Sequence, residues 1–410
     1  MKYINNVRHY LPFLEKEISI DLQRRNLIII GPNGSGKTTL VSDLYVRAKI
    51  WIFENGPYKK IELARMRDMH ADSAVQYTQQ SDPATAANQQ DAADRYEKQL
   101  AELNSNPIID FFDENDLIKK AKDGFGVVEF FEATRQAKIN EAKGADTTQY
   151  NLSDLRNKPE TIGGDFEKHL VNLWTRRSFA LTENKNLTLA SEIENWFRKL
   201  NDDLRYLFED GSLELQFNPD KYRFFIQQDN RRPYGFQTLS SGYSAILAII
   251  SRLLMRAEYL KTLPANLVGV VFIDEIDAHL HVSLQRKIFP FLTRTFPNLQ
   301  FIATTHSPFV LSSVSDAVIF DIGTNEQAID FSNYSYEMLL DSLFKVPVTS
   351  ELYNSKILAL SDEINKENPD AEAIRKILKS VGDAFETTDD ESGYYINKAR
   401  LILAKSDQVR

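Results

Sequence analysis

Residues 27–39 read Leu-Ile-Ile-Ile-Gly-Pro-Asn-Gly-Ser-Gly-Lys-Thr-Thr, and this stretch decides the fold. Four apolar residues of buried-strand type run into a glycine-rich turn, after which Leu40, Val41, Leu44, Tyr45 and Ala48 recur at helical spacing. A strand, a tight turn and a helix in that order make a phosphate-binding loop. Its glycines let backbone N–H groups approach a polyphosphate where any Cβ would intrude. Lys37 can reach the β- and γ-phosphates, and Thr38 can offer its hydroxyl to Mg²⁺. Gly31, Pro32, Asn33, Gly34, Ser35, Gly36, Lys37, Thr38 and Thr39 are therefore the expected nucleotide-binding residues. The expected ligand is a nucleoside triphosphate.

Working outward, alternation over residues 3–10 and 18–22 predicts strands leading into the loop, so residues 1–50 form a first lobe. Residues 51–209 change character and read as a mainly helical insertion. Within it, residues 71–104 are rich in Ala, Gln, Asp and Glu, interrupted by Pro83, and fit either a polar helix or a mobile linker. Helical stretches follow at 115–122, 165–179 and 190–208. The last two carry apolar stripes (Leu170, Leu173, Trp174; Ile193, Trp196, Phe197, Leu200) expected to pack helix on helix inside the insertion. No sustained heptad appears, which argues against a long coiled-coil arm.

Strand signals return at 213–217 and 222–227. The apolar runs 269–273 and 300–304 look like buried strands of a mostly parallel sheet, joined by a helix over 282–296. Residues 210–325 thus form a second lobe. Residues 326–410 read as a helical C-terminal region, with helices at 336–344, 352–365 and 371–379 and a polar tail. The fold class expected is α/β.

Composition sets limits. Of 410 residues, 42% are hydrophobic and 26% charged, the balance of a globular protein with room for two or three domains. The absence of cysteine excludes disulfides, thiolate metal sites and a cysteine nucleophile. No signal peptide and no bilayer-length apolar run is seen, so a cytoplasmic protein with no membrane partner is expected. A net charge of −9 argues against a wholly basic nucleic-acid coat.

Further motifs decide which NTPase this is. Val270-Val271-Phe272-Ile273 ends in Asp274-Glu275. Asp274 is placed to hold Mg²⁺ and Glu275 to polarise an attacking water, general-base work. Ser240, Ser241 and Gly242 precede an apolar helix, where a hydroxyl, free N–H groups and a positive dipole end suit a γ-phosphate. His306 follows the second buried strand, in reach of the γ-phosphate or the catalytic water.

Together these residues resemble the ABC-type ATPases, the group that includes the SMC, RecF and OLD-like proteins. Residues 31–39 match Walker A, 270–275 Walker B, and 239–243 the signature. Asp277 matches the D-loop and His306 the switch histidine. The resemblance covers residues 1–50 and 210–320. It implies ATP and Mg²⁺ as cofactors and an ABC-type head. It also implies a head-to-head homodimer, or a higher oligomer, that sandwiches two ATP molecules, with Ser240, Ser241 and Gly242 acting in trans. Ser241 and Tyr243 depart from the usual Gly and Gln. No Q-loop glutamine is assigned, and Tyr10 and Phe13 are weak candidates for stacking adenine.

Residues 274–281 and 301–308 look like the OLD-type prokaryotic ATPases of antiphage systems, including the ATPase subunits of Septu (also found with some retrons) and PARIS. No TOPRIM pattern of a Glu followed by a strand-borne Asp-x-Asp pair is seen after His306, and no His-Asn-His endonuclease pattern is seen in the sequence. The resemblance therefore implies a slow, regulatory ATPase whose partner is a separate effector, a nuclease. The alternative is a RecF-like DNA-binding repair ATPase. Arg176-Arg177, Arg231-Arg232 and Lys119-Lys120 keep nucleic acid open as a partner, although they also read as solvated surface.

Overall fold

Alternating burial along Ile4–Leu11 and Lys16–Asp21 produces the first antiparallel pair, β1 and β2, with Asn6 opposite Asp21 and Leu11 opposite Lys16. The structure is a computed structural model and describes residues 2–104, 107–145, 159–183, 185–328, 351–366, 369–381 and 390–408. β3 (Asn26–Ile30) is buried at every position, and α1 (Lys37–Phe53) buries Leu40, Val41, Leu44 and Ala48. Both match the reading of the phosphate loop's flanks.

α2 (Gly56–Gln79) and α3 (Pro83–Leu103) settle the choice left open for residues 71–104. Pro83 does not break a helix; it opens one, at the first turn where its missing N–H costs nothing, and Asp82 caps that turn by accepting from Thr85 N. The two helices pack as a hairpin through Leu63, Leu100 and Leu103, with His70 stacked on Tyr96 at 5.5 Å.

The chain then returns to the sheets that carry β1 and the phosphate-loop strand. β4 (Ile108–Phe111) pairs antiparallel with β1. After α4 (Glu114–Lys122), β5 (Gly126–Phe131) pairs in parallel with a later strand, Val128 opposite Val270. Glu129 in the middle of β5 hides the strand from sequence reading. It is buried at 3% exposure because Arg256 meets its carboxylate at 3.2 Å. A buried charge is tolerated when paired in this way.

α5 (Pro159–Gly164), α6 (Phe166–Thr182) and α7 (Leu187–Phe208) lead to the hairpin β6 (Glu214–Asn218) and β7 (Arg223–Gln227). The apolar stripes on α6 and α7 do not pack only on each other. Leu170, Leu173, Phe197 and Leu200 share one core with Phe224 and Ile226 of β7 and Leu247 and Met255 of α8 (Ser241–Tyr259). The helical region is therefore fused to the helix that starts at the Ser240-Ser241-Gly242 turn.

β8 (Val268–Ile273), α9 (Val282–Thr295), β9 (Leu299–Thr304), α10 (Pro308–Leu311), β10 (Ala317–Asp321) and β11 (Glu326–Ala328) complete the first unit. Among the described residues the main sheet has six strands in the order β11-β10-β3-β9-β8-β5. The run from β10 to β5 is parallel and β11 is antiparallel, a mixed, mostly parallel α/β sheet. Its core joins Leu27, Ile29, Leu40 and Leu44 to Val270, Phe272 and Ile302.

Residues 337–410 form a second compact unit. It contains α11 (Glu351–Ile364), α12 (Ala371–Val381) and α13 (Asp390–Gln408), packed through Leu360, Ile374, Ile396 and Ala399. The expected helix over 336–344 lies outside the described residues. Where a polar tail was expected, α13 is a helix, because Ile396 and Ala399 place an apolar stripe among its charges.

Candidate nucleotide site

β3, β9, β8 and β5 lie side by side and run in one direction, so their C-terminal ends open onto one edge of the sheet. That edge is where open α/β sheets bind ligands. The phosphate loop leaves β3 and Thr304-Thr305-His306 leaves β9. Asp274-Glu275 leaves β8, and the loop 132–137 leaves β5.

In the phosphate loop, Gly34 and Gly36 adopt φ of 76° and 87°, a left-handed backbone that only glycine takes without strain. No side chain caps α1, so its first N–H groups point into the loop. Ser35 Oγ is buried without a hydrogen-bond partner, a polar atom suited to a phosphate oxygen. Lys37 is 6% exposed, and its Nζ donates to the carbonyls of Gly31 at 3.0 Å and Pro32 at 2.9 Å. Burial pushes its pKa down, while Glu275, Asp274, Asp277 and Asp321 pull it back up.

Thr38 Oγ1 donates to Asp274 Oδ2 at 2.9 Å, and Thr304 Oγ1 donates to Asp274 Oδ1 at 2.6 Å. These are hard oxygen donors, which Mg²⁺ takes beside phosphate and water oxygens. No group of three or more His, Asp or Glu residues that could cage a metal exists among the described residues. The donor set therefore fits an ion shared with a bound polyphosphate.

Glu275 sits at φ 44°, a left-handed conformation that costs a non-glycine residue about 1–3 kcal/mol. The surrounding structure holds it there. Its N–H donates to Thr304 Oγ1 at 2.7 Å, and Ile276 N donates to the Thr304 carbonyl at 2.9 Å. Asp277 accepts from Thr305 Oγ1, and Ser307 Oγ donates to Gln285 Oε1 at 2.6 Å. His306 is half-buried. Burial, then the Lys37 ammonium, holds its imidazole below the usual value, against the opposing pull of Asp277, Glu275 and Asp274. The structure thus gathers Lys37, Thr38, Asp274, Glu275, Asp277 and His306 at one edge.

Ser240, Ser241 and Gly242 stand outside that hydrogen-bond network. Ser240 is the N-cap residue of α8 and Ser241 its first residue; both are exposed, whereas Gly242 is buried. A Cβ on Gly242 would lie 2.8 Å from the His279 carbonyl, so the turn packs directly on the loop after Glu275. Tyr243 stacks on Phe208 with centroids 3.9 Å apart and planes 6° from parallel. The residue standing where the family has Gln is thus part of the packing between α8 and α7.

Sequence reasoning missed Arg135. It is 7% exposed, and its guanidinium donates to the carbonyls of Glu132, Asp274, Glu275 and Ile276. Burial pushes its pKa down to about 10, opposed by Asp277, Asp274 and Glu275. A single Arg in a loop carries no motif, and its partners lie some 140 positions away. Gln136 beside it is exposed.

A family model described as "AAA domain, putative AbiEii toxin, Type IV TA system" matches residues 72–312, more than half of the chain. The chain belongs to that family. The matched span starts after the phosphate loop and includes Ser240, Asp274, Glu275 and His306. With the β3–α1 loop in front of it, the match makes this protein a P-loop ATPase.

Among curated proteins, it is 24% identical to a Septu protein PtuA of Bacillus thuringiensis, over 83% of this chain and 84% of that relative. It is 30% identical to a "Retron Ec83 probable ATPase" of Escherichia coli, over 44% of this chain and 36% of that protein. Solved structures that align with it include an Smc head bound to the C-terminal winged-helix domain of ScpA (9% identity, 80% of this chain, 97% of that one, TM-score 0.37). A nucleotide-free ATP-binding cassette from an ABC transporter also aligns (14% identity, 86% of this chain, 98% of that one, TM-score 0.35). Among the described residues, no helix is long and apolar enough to cross a membrane.

Proposed function

We propose that this ATPase is the nucleotide-driven subunit of an antiphage defence system, which dimerises head to head on ATP and holds a separate effector, a nuclease. The observation that carries the ATP chemistry is the bond from Thr38 to Asp274, which joins phosphate loop and acidic strand end into one site. The defence role rests on the likeness to a Septu protein and to retron-associated ATPases.

In this reading residues 31–39 cradle the triphosphate, and Lys37 neutralises its β- and γ-oxygens. Mg²⁺ held by Thr38 and Asp274 would offset the charge developing on those oxygens. Glu275 is the general base for the attacking water, and a neutral His306 hydrogen-bonds the γ-phosphate or that water. Ser240, Ser241 and Gly242 of one protomer close over the nucleotide of its partner, with Asp277 beside the junction. We assign the Q-loop role to Gln136, exposed on the loop after β5. Residues 1–50 and 210–325, with β4 and β5, form the head. The rest of 51–209 and the helical unit beyond 336 are the surfaces for the effector.

A DNA-binding repair ATPase would need its basic spots available. Arg177 is paired with Glu194 at 3.2 Å, Lys120 with Asp116 at 2.8 Å, and Arg231 donates to Gln228 at 3.3 Å. Arg176, Lys119 and Arg232 beside them are exposed, so the preference for the effector-holding reading rests on the likeness to the Septu and retron proteins. Capture on tagged Glu275→Gln protein, expressed from its native locus, tests it, with bound protein and nucleic acid both identified. A stoichiometric nuclease is the expected result. Recovery of DNA with no co-encoded protein would overturn it.

A further inference from the structure

Arg135 is buried, fully charged at neutral pH and aimed at backbone. Nη1 donates to the carbonyls of Glu132 at 3.1 Å and Asp274 at 2.9 Å, and Nη2 to those of Glu275 at 3.2 Å and Ile276 at 2.9 Å. Three consecutive carbonyls of the turn that carries the catalytic carboxylate thus converge on one planar fork. Burying a guanidinium is costly, and here Nη1 and Nη2 are satisfied by backbone carbonyls, three of the four in a strained turn, while Nε has no hydrogen-bond partner. The Thr304 contacts pin that turn from the β9 side, and Asp274 N donates to the Phe131 carbonyl at the end of β5 at 2.8 Å.

The loop bearing Arg135 is anchored at its other end to α8. Ala137 N donates to Ser244, to its carbonyl at 3.2 Å and its Oγ at 3.0 Å, and Ser244 N donates in turn to the Ser240 carbonyl at 2.9 Å. The same loop lines a cavity of about 630 Å³ together with Ser251 and Arg252 of α8. A short loop therefore runs from the helix that begins at Ser240 to the backbone of Glu275.

We propose that Arg135 is a positioning residue for hydrolysis, holding the Glu275 turn in its left-handed conformation and tying that conformation to the seating of the 132–137 loop on α8. The inference rests on Glu275 being the general base. Arg135 touches neither nucleotide nor water in this role; it fixes where the carboxylate stands. It governs the chemical step and leaves ATP binding, which depends on the β3–α1 loop, untouched.

The test compares ATP affinity and turnover in Arg135→Met, Arg135→Lys, Glu275→Gln and the Arg135→Met/Glu275→Gln double variant of the full chain. Misplacing a reacting group by about 1 Å costs up to about 100-fold, so Arg135→Met should lower kcat by about 10- to 100-fold with ATP Kd within about threefold of wild type. Arg135→Lys, which keeps the charge but loses the fork, should fall between the two. In the double variant, Arg135→Met should change the residual rate by less than about threefold, because its effect passes through Glu275.

Wild-type turnover in folded Arg135→Met, beside a slow Glu275→Gln, overturns the positioning role and leaves the general-base reading standing. A full multiplicative loss in the double variant also overturns it. Wild-type turnover in Glu275→Gln removes the general base itself, and this inference with it. If Arg135→Met does not fold, Arg135→Lys decides: reduced kcat at unchanged Kd supports the role, and unchanged kcat overturns it.

Discussion

At the scale of single residues, the site is set by which charges share one edge of the sheet. Lys37 lowers the pKa of His306 and four carboxylates act back on Lys37, so the groups respond to one another. Burial and Lys37 both favour the neutral imidazole. The contribution of His306 to stability is therefore complete above its unfolded value of about 6.5 and is lost as pH falls below that value through the folded one. An NMR titration of nucleotide-free protein should find His306 below the ordinary imidazole value, and Lys37→Met should move it upward. A titration at or above the ordinary value would contradict this electrostatic picture. The phosphate loop and Asp274-Glu275 were legible in sequence because each is a local pattern of strand, turn and helix. Arg135 was not, since nothing local marks a lone arginine whose partners come from a distant strand end.

At the scale of elements, the decisive contact is between the Gly242 turn and the loop after Glu275. The His279 carbonyl lies where a Cβ would stand, and a backbone atom has little room to move. Gly242→Ala should cost about 1–3 kcal/mol of stability, as overpacking does, and should slow hydrolysis more than it weakens ATP binding. Thermal unfolding and single-turnover hydrolysis check both; an unchanged melting temperature would show that the loop accommodates the methyl group. Sequence patterning located β3, β8 and β9 because continuous apolar runs mark strands buried on both faces. It missed β5 because Glu129 breaks the run, and Arg256 and Arg252, both supplied by α8, make that acid acceptable in a core. It left α2 and α3 undecided because their buried side is narrow, little more than Leu63, Leu100 and Leu103.

At the scale of the molecule, the chain is an α/β head with helical additions, and a separate helical unit beyond residue 336. The order of the sheet explains why motifs dispersed from residue 31 to residue 306 act as one site: parallel strands align their ends whatever their spacing in sequence. Ser240 and Ser241 lie exposed at the start of α8, outside the hydrogen-bond network around Lys37 and Asp274. In the dimer proposed above, these exposed residues would complete the nucleotide site of a second copy.

The most direct test mixes Lys37→Ala chains with Ser240→Arg chains, each inactive alone, and measures hydrolysis. A symmetric dimer that shares its sites regains one intact pair per hybrid, so the mixture should reach up to about a quarter of the wild-type rate. A mixture that forms mixed dimers yet hydrolyses no faster than its separate components would contradict shared sites.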